Sequence, residues 1–284
     1  MSQDLTQDPA HSAGDALRQA ILSALREIET RLSTDAINAS DVHLARRAAK
    51  RARALARLAP PDLAALAVNT RKTVDRTRRA LGEARNAEVR AATLAALKPR
   101  LGDVHDTLDR LARQDAPGGD ARPDIAALRR EIDALIRDWS LCETKDGLDE
   151  IVGAAASTYR RMRRRARSAR GGEGEALHHW RSAVVEFEYE ADFLARFAPG
   201  LKDAGRAADR LRKHLGEISD LDDLRAYMAE RGADEAERAA VDCLEKASAT
   251  RRARLVARAL ERADALMREK PAQWAKKLRR SCAR

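Results

Sequence analysis

The sequence is poor in aromatic residues, in cysteines and in long apolar runs. Only nine of 284 residues are aromatic, which argues against a stacking platform for single-stranded nucleic acid. The three cysteines, Cys142, Cys243 and Cys282, are scattered, so we expect neither disulfides nor a metal site, as in a reducing cytoplasm. No run approaches the ~18 apolar residues of a membrane span, and the first residues lack signal-peptide features. We therefore expect a cytoplasmic protein without a membrane partner.

Sequence signatures of common enzyme classes are also missing. The sequence has no GxxxxGK[ST] phosphate-binding loop, no nucleophile elbow and no HExxH pair. The two most suggestive histidines, His43 and His178, have no Cys or His partner at metal-ligand spacing. We therefore expect no catalytic residues, no metal and no cofactor.

The residues that are abundant point to helices and to an anionic partner. Charged residues make up 35% of the chain, and Lys and Arg (55) exceed Asp and Glu (45) by ten. Ala and Leu supply most of the apolar share, and both favour helix. The isoelectric point near 9.9 predicts a polyanionic partner.

Apolar residues recur with helical spacing throughout, and no segment alternates as a strand does. Breaks fall at Pro60-Pro61, at 115–123, at 171–174 and at Pro199-Gly200. The pattern predicts an all-α protein in which short connections favour bundle packing. The predicted helices lie at about 14–33, 41–59, 62–81, 84–114 (kinked or split at Lys98-Pro99), 123–141, 146–170, 175–198, 201–216, 220–231 and 234–270.

Two short motifs occur twice. HLAR at 43–46 recurs as HHWR at 178–181, which is 135 residues later, and RRALGE at 78–83 recurs as RKHLGE at 212–217, which is 134 residues later. Two matches at nearly one offset indicate an internal repeat.

The repeat predicts two related helical units, one over 14–141 and one over 145–284, which together form one domain. A short N-terminal tail, 1–13, is predicted to be disordered. We expect the two units to be pseudo-symmetric, four-helix-bundle-like repeats that share a basic cleft or pore.

The helix predicted over 41–59 has a face of one charge sign. At ~100° per residue, its cationic side chains fall within about 80° of arc, and Ala and Leu fill the opposite side. Positions 42–59 contain six Lys or Arg and no acid, and like charges at this spacing repel one another. An anion or the acids of a neighbouring helix must therefore neutralise this face, which consists of His43, Arg46, Lys50, Arg53 and Arg57, flanked by Arg47 and Arg51.

Two further basic stretches favour neutralisation by a bound anion over neutralisation by a neighbouring helix. Residues 159–167 contain no acid, and Arg71, Arg78 and Arg85 recur every seven residues along one side of a helix. His43 and His178 each precede an Arg by three residues on the same face, where either could hydrogen-bond a phosphate oxygen or a neighbouring helix. Three stripes suggest one shared electropositive surface.

Five segments, taken in order, resemble the conserved histidine α-helical domain, the CHAD family: VHLARRAAKRARALARL (42–58), RRALGEARNAEV (78–89), TYRRMRRRARSAR (158–170), EALHHWR (175–181) and RLRKHLGEISDLDDL (210–224). The resemblance implies two four-helix bundles related by a pseudo-twofold axis around a basic cleft or pore. It further implies binding of inorganic polyphosphate, association with polyphosphate granules and no catalytic activity.

Dense Arg and Lys with little aromatic surface suit a polyphosphate, because it offers charge but no base to stack. Phosphate or sulfate ions would fit the same positions. The candidate polyphosphate-binding residues are His43, Arg46, Arg47, Lys50, Arg51, Arg53, Arg57, Arg71, Arg78, Arg79, Arg85, Arg160, Arg163, Arg164, Arg167, His178, Arg181, Arg212 and Lys213.

The second repeat departs from the family pattern. Val185, Glu186, Glu188 and Asp192 stand where cations are usual, so this half is predicted to bind anions weakly or to repel them. Two alternatives remain open at this stage: sequence-nonspecific nucleic-acid binding, since phosphate contacts alone support it, and a scaffold whose basic face docks an acidic protein.

Overall fold

A computed structural model of the chain describes residues 12–33, 37–82, 86–113, 124–231 and 234–282, without the side chains of 86–88. The described residues form helices and turns and contain no strand, which confirms the all-α prediction. Most of the predicted tail, 1–11, and the candidate residue Arg85 lie outside these ranges. In the part of the chain described, no helix is long and apolar enough to cross a membrane.

The helices are α1 (Ala13–Leu32), α2 (Ala39–Leu55), α3 (Ala64–Ala80), α4 (Asn86–Ala95), α5 (Lys98–Leu101), α6 (His105–Arg113), α7 (Ile125–Leu141), α8 (Leu148–Ser168), α9 (Gly174–Leu194), α10 (Leu201–Ala229), α11 (Glu235–Leu266) and α12 (Pro271–Cys282). Side-chain caps fix several starts. Ser12, Asn38, Asp124 and Asp234 each accept a hydrogen bond from the backbone N–H three residues later.

Helices α1, α2, α3 and α7 close into a four-helix bundle. α1 packs on α2 and α7, and α3 packs on the same two helices. Inside this bundle Trp139 is fully buried and donates its indole N–H to Thr70 Oγ1 at 2.8 Å. Because a buried Trp needs this acceptor, the pair fixes α7 against α3.

The second half is built around α8, α9 and α10. α8 packs on α9 and α12, while α10 packs on α9 and α11. The segment α4–α6, predicted to belong to the first unit, packs instead on α10 and α11. Tyr227 of α10 lies between the guanidinium groups of Arg90 and Arg231, at 3.7 and 3.5 Å from its ring centroid. The middle segment therefore crosses onto the other half.

Helix starts repeat at the offset of the sequence motifs. Residue 13 begins α1 and residue 148 begins α8, while residues 39 and 174 begin α2 and α9, so both pairs are 135 apart. Trp139 and Trp274 stand at the same separation, and both are buried. The twofold relation of the halves stays a prediction, which superposition of the paired helices would test.

The helix at 84–114 is split at Lys98-Pro99 as predicted, and Pro99 lies in the first turn of α5. A further break at Gly102, which has φ +52°, was not predicted. Two other parts of the helix prediction differ from the structure. The helices predicted at 201–216 and 220–231 are one helix, α10. Finally, α12 was not predicted; it restarts the chain at Pro271, a favoured first position, and buries Trp274.

Candidate anion-binding site

The contact between α2 and α9 joins the two halves. The inner side of α2 consists of alanines: Ala45, Ala48, Ala49 and Ala52 are all almost fully buried. Small residues let helices approach closely, so the cations on the other side of α2 come near the helices around them. This arrangement brings basic residues of α2, α3, α9 and α10 into one place.

In both halves the two repeated motifs contact each other. Arg46 donates from Nη1 to the carbonyl of Arg78 at 2.8 Å, and a Cβ at Gly82 would lie 2.9 Å from that nitrogen. In the second half, a Cβ at Gly216 would lie 3.6 Å from Nη2 of Arg181. A side chain at Gly82 would therefore displace Arg46, whereas the distance at Gly216 is an ordinary van der Waals contact with Arg181.

Lys50 lies at the centre of a group of cations that we call the central cluster. Its pKa is lowered to about 8, first because burial disfavours the ammonium ion and then because four guanidinium groups repel it. Among the described residues, no hydrogen-bond or ion-pair partner of Lys50 is found. The cluster thus concentrates positive charge from four helices; its members are Arg46, Lys50, Arg78, Arg181 and Arg212.

The repeated histidines flank this cluster. His43 and His178 are both largely exposed. Partial desolvation of the His178 ring, followed by repulsion from Arg181 and His179, lowers the pKa of His178. The neutral ring therefore predominates at neutral pH, and a bound anion would raise its pKa. In the described ranges there is no group of His, Cys, Asp and Glu that could hold a metal ion.

Next to the central cluster, α2 and α3 enclose an open cavity of about 550 Å³, which we call the basic groove. Among the described residues that line it, Asp75 is the single acid, and Val68 and Ala80 are the apolar ones. Lys72 and Arg76 were not predicted, although they share a helix face with Arg79 at spacings of four and three. The groove cations are Arg53, Arg57, Arg71, Lys72, Arg76 and Arg79.

Part of the α2 charge is neutralised from the other half. Glu186 of α9 is buried and pairs with Arg53 at 2.7 Å, with Arg57 at 3.0 Å and with Arg161 at 2.7 Å. Asp75 also pairs with Arg53, at 2.9 Å. Of the two alternatives that the sequence left open, the acids of a neighbouring helix therefore neutralise Arg53 and Arg57.

The sequence suggested that the acids of α9 repel anions, but in the structure most of these acids do not form an exposed face. Glu188 is buried and pairs with Arg212 at 2.7 Å, and burial raises its pKa to about 7. Glu190 is also buried and accepts a hydrogen bond from Thr158 at 2.9 Å; burial raises its pKa well above the usual range. Among the acids at 186–192, Asp192 is the exposed one. These carboxylates mainly pair with or lie beneath other helices.

Several candidate residues lie away from the central cluster and the groove. Arg47 and Arg51 line a different cavity, between α1, α2 and α9. Lys213 is exposed and pairs with Asp209 at 2.9 Å. Arg163 donates to the carbonyl of Glu269 before α12. The remaining candidates on α8 are exposed and belong to neither the central cluster nor the basic groove; they are Arg160, Arg164 and Arg167.

The arginines of α8 that do reach the junction are Arg161 and Arg165. Arg161 pairs with Glu186, and Arg165 donates to the carbonyl of His179 at 2.9 Å. Both were missed, because a run of arginines does not show which of them face inward. Their separation of four residues, which places them on one helix face, was the available signal.

Comparisons with known proteins agree with this architecture. No curated protein matches the chain. The family model described as the CHAD domain matches residues 16–229, from α1 to the end of α10, and so includes every residue of the central cluster and the basic groove. Because this match covers more than half of its length, the chain belongs to the CHAD domain family.

Proposed function

We propose that this protein binds inorganic polyphosphate without chemically transforming it. The observation that carries the proposal is the position of Lys50, which is half-buried among arginines from both halves. Burying like charges together costs stability unless an anion balances them. A polyanion placed on the central cluster would supply that charge.

The adjoining groove favours a linear polyanion over a single ion. Lys50 of α2 is seven residues before Arg57, which lies in the 3-10 turn after α2, and Arg71 is eight residues before Arg79 on α3. At about 1.5 Å per residue each stretch spans about 10–12 Å. Guanidinium groups bind phosphate oxygens in bidentate fashion. A chain of several phosphates could contact both the central cluster and the groove, whereas one phosphate could not.

The chemistry of the groove also separates this ligand from nucleic acid. Among the described residues, the groove is lined mainly by charged side chains and by no aromatic ring, so they offer nothing for a base to stack on. Polyphosphate carries about one charge per phosphate and no base. We therefore favour polyphosphate over nucleic acid and over an acidic protein, and association with cytoplasmic polyphosphate granules forms part of the proposal.

The test is calorimetric titration with long-chain polyphosphate, in competition with duplex DNA and RNA at equal phosphate concentration and ionic strength. We expect polyphosphate to bind more tightly than either nucleic acid, with an affinity that falls steeply as salt is added. Equal competition by duplex DNA would favour the nucleic-acid alternative, and absence of polyphosphate binding would refute the proposal.

A pair of charge reversals locates the site. Lys72 and Arg79 are exposed in the groove, so the double variant K72E/R79E is expected to fold and to lose most polyphosphate affinity. The matched control is K276E/R280E on α12, which makes the same change in charge at exposed positions away from the groove. Equal losses in the two variants would show that net charge alone, rather than the groove, determines binding.

A further inference from the structure

A second cavity, of about 380 Å³, lies between α1, α2 and α9. We call it the amphipathic pocket, because its floor and rim differ in polarity. Ala20, Ala48, Leu55 and Phe193 are buried and form an apolar floor. Its volume is within the range of small-molecule sites, about 300–1,000 Å³, and near the lower limit.

The rim carries charges of both signs. Arg47, Arg51 and Arg196 face two carboxylates, those of Glu27 and Asp192. The rim is therefore net positive by one, whereas the basic groove has six cations and one acid. This balance suits a ligand with one anionic group and does not suit a polyanion.

Tyr189 and Asp192 of α9 line the rim beside Arg47. Asp192 approaches α10 closely: a Cβ at Gly205 would lie 2.5 Å from its Oδ1. The glycine therefore makes room for this carboxylate, which lines one wall of the pocket.

The other half closes the corresponding space. The residues found 135 positions after Glu27, Arg51 and Leu55 are Met162, Glu186 and Glu190. All three are buried in the described structure, and Glu186 pairs with three arginines. The described residues of the second half therefore do not repeat the lining of this pocket, because two acids stand where the pocket has Arg51 and Leu55.

We propose that the amphipathic pocket binds a small ligand of the nucleoside monophosphate type. A flat heterocycle would lie on the apolar floor beside Phe193, and a single phosphate would be bound by Arg47 and Arg51. Carboxylates accept hydrogen bonds from hydroxyl and amino groups, so Glu27 and Asp192 would bind the sugar or the exocyclic amine. This site is separate from the proposed polyphosphate site.

The probe is AMP, titrated by calorimetry in parallel with adenosine and with inorganic phosphate. We expect AMP to bind at least about tenfold more tightly than either part, since it alone satisfies both floor and rim. If AMP fails to bind, or if phosphate binds as well as AMP, the proposal is overturned. Saturating polyphosphate should leave AMP binding unchanged; displacement of AMP would refute a separate site.

Variants place the ligand in this pocket. Arg51→Gln should weaken AMP binding by about tenfold or more, as expected for the loss of a charge-assisted hydrogen bond. Arg196→Gln tests a second arginine of the rim, which is exposed. The groove variant K72E/R79E should bind AMP normally, and Arg51→Gln should bind polyphosphate normally. Circular dichroism checks that each variant is folded. Normal AMP binding by both arginine variants would exclude this pocket.

Discussion

Helices α2 and α9 start 135 residues apart and share the His-x-x-Arg motif, but their charges are opposite. The segment 42–59, which consists of most of α2 and the turn after it, carries six cations and no acid, while α9 carries Glu186, Glu188 and Glu190 on its buried side. In the structure the two helices pack together, and the acids of one pair with cations of the other or of its neighbours. The comparison shows that the second motif is not merely a depleted copy, because its acids help to hold the halves together.

The largest expected effect of breaking this arrangement is on stability. Glu186→Gln would leave Arg53, Arg57 and Arg161 without their shared carboxylate, and loss of one partner of a buried ion pair costs about 3–5 kcal/mol. We expect Glu186→Gln to lower the free energy of unfolding, measured with urea, by about 3 kcal/mol. The value lies at the lower end of the range because the arginines are partly exposed to water.

The matched control is Glu245→Gln, which removes a carboxylate from the more exposed pair with Arg225. Such a pair contributes about 0.2–1 kcal/mol. Equal destabilisation by the two variants would mean that Glu186 is no more important than a surface acid.

Much of the fold could be predicted from sequence, because its signals are local. Helical periodicity and the breaks around Pro60-Pro61 and Pro199-Gly200 located most helices. The docking of α4–α6 on α10 and α11 could not be predicted, since it depends on contacts such as Arg110 with Glu237, 127 residues apart. Helical periodicity does not reveal which distant helix covers an apolar face.

The candidate site was predictable in part for the same reason. The α2 stripe identified Lys50, Arg53 and Arg57, which lie in the cluster or the groove. It also included Arg47 and Arg51, because a stripe on one helix can face two different neighbours. The separation into two surfaces depends on the position of α9 and is absent from the pattern of α2 alone.

A second test compares Lys50 with Val185, the residue 135 positions later, because both are half-buried. Lys50→Met removes a cation from among four arginines, so we expect a more stable protein with weaker polyphosphate binding. The loss of polyphosphate binding free energy should be about 1–3 kcal/mol, the range for a charge-assisted hydrogen bond. Val185→Met should change neither property much. A Lys50→Met variant that loses stability would contradict the assignment of Lys50 as an unbalanced cation.

A third test concerns Glu188, where a lysine would make α9 resemble α2. The sequence predicted that this half binds anions weakly or repels them, because Glu188 stands where a cation is usual. Because Glu188 is buried against Arg212, we now expect Glu188→Lys to destabilise the protein by about 3 kcal/mol. Val185→Lys, at a half-buried site, should be tolerated better. Thermal unfolding of both variants measures the difference; a stable Glu188→Lys protein would show that this position is open to solvent.

The smallest expected effect is on pH dependence. The pKa of Lys50 is lowered to about 8, and a bound anion would raise it towards its ordinary value of 10.5. Binding therefore takes up a proton above about pH 8, and affinity should fall as pH rises through this window, by at most about tenfold per pH unit for one proton. The pKa of His178 is lowered below 6.5, so its protonation strengthens binding only at more acidic pH.

Polyphosphate titrations at pH 7, 8 and 9 measure the effect for the native protein and for Lys50→Arg, which stays charged throughout because arginine does not titrate in this range. The variant should flatten the alkaline decline; an unchanged decline would assign it to another group, and no decline in the native protein would mean that the anion does not reach Lys50.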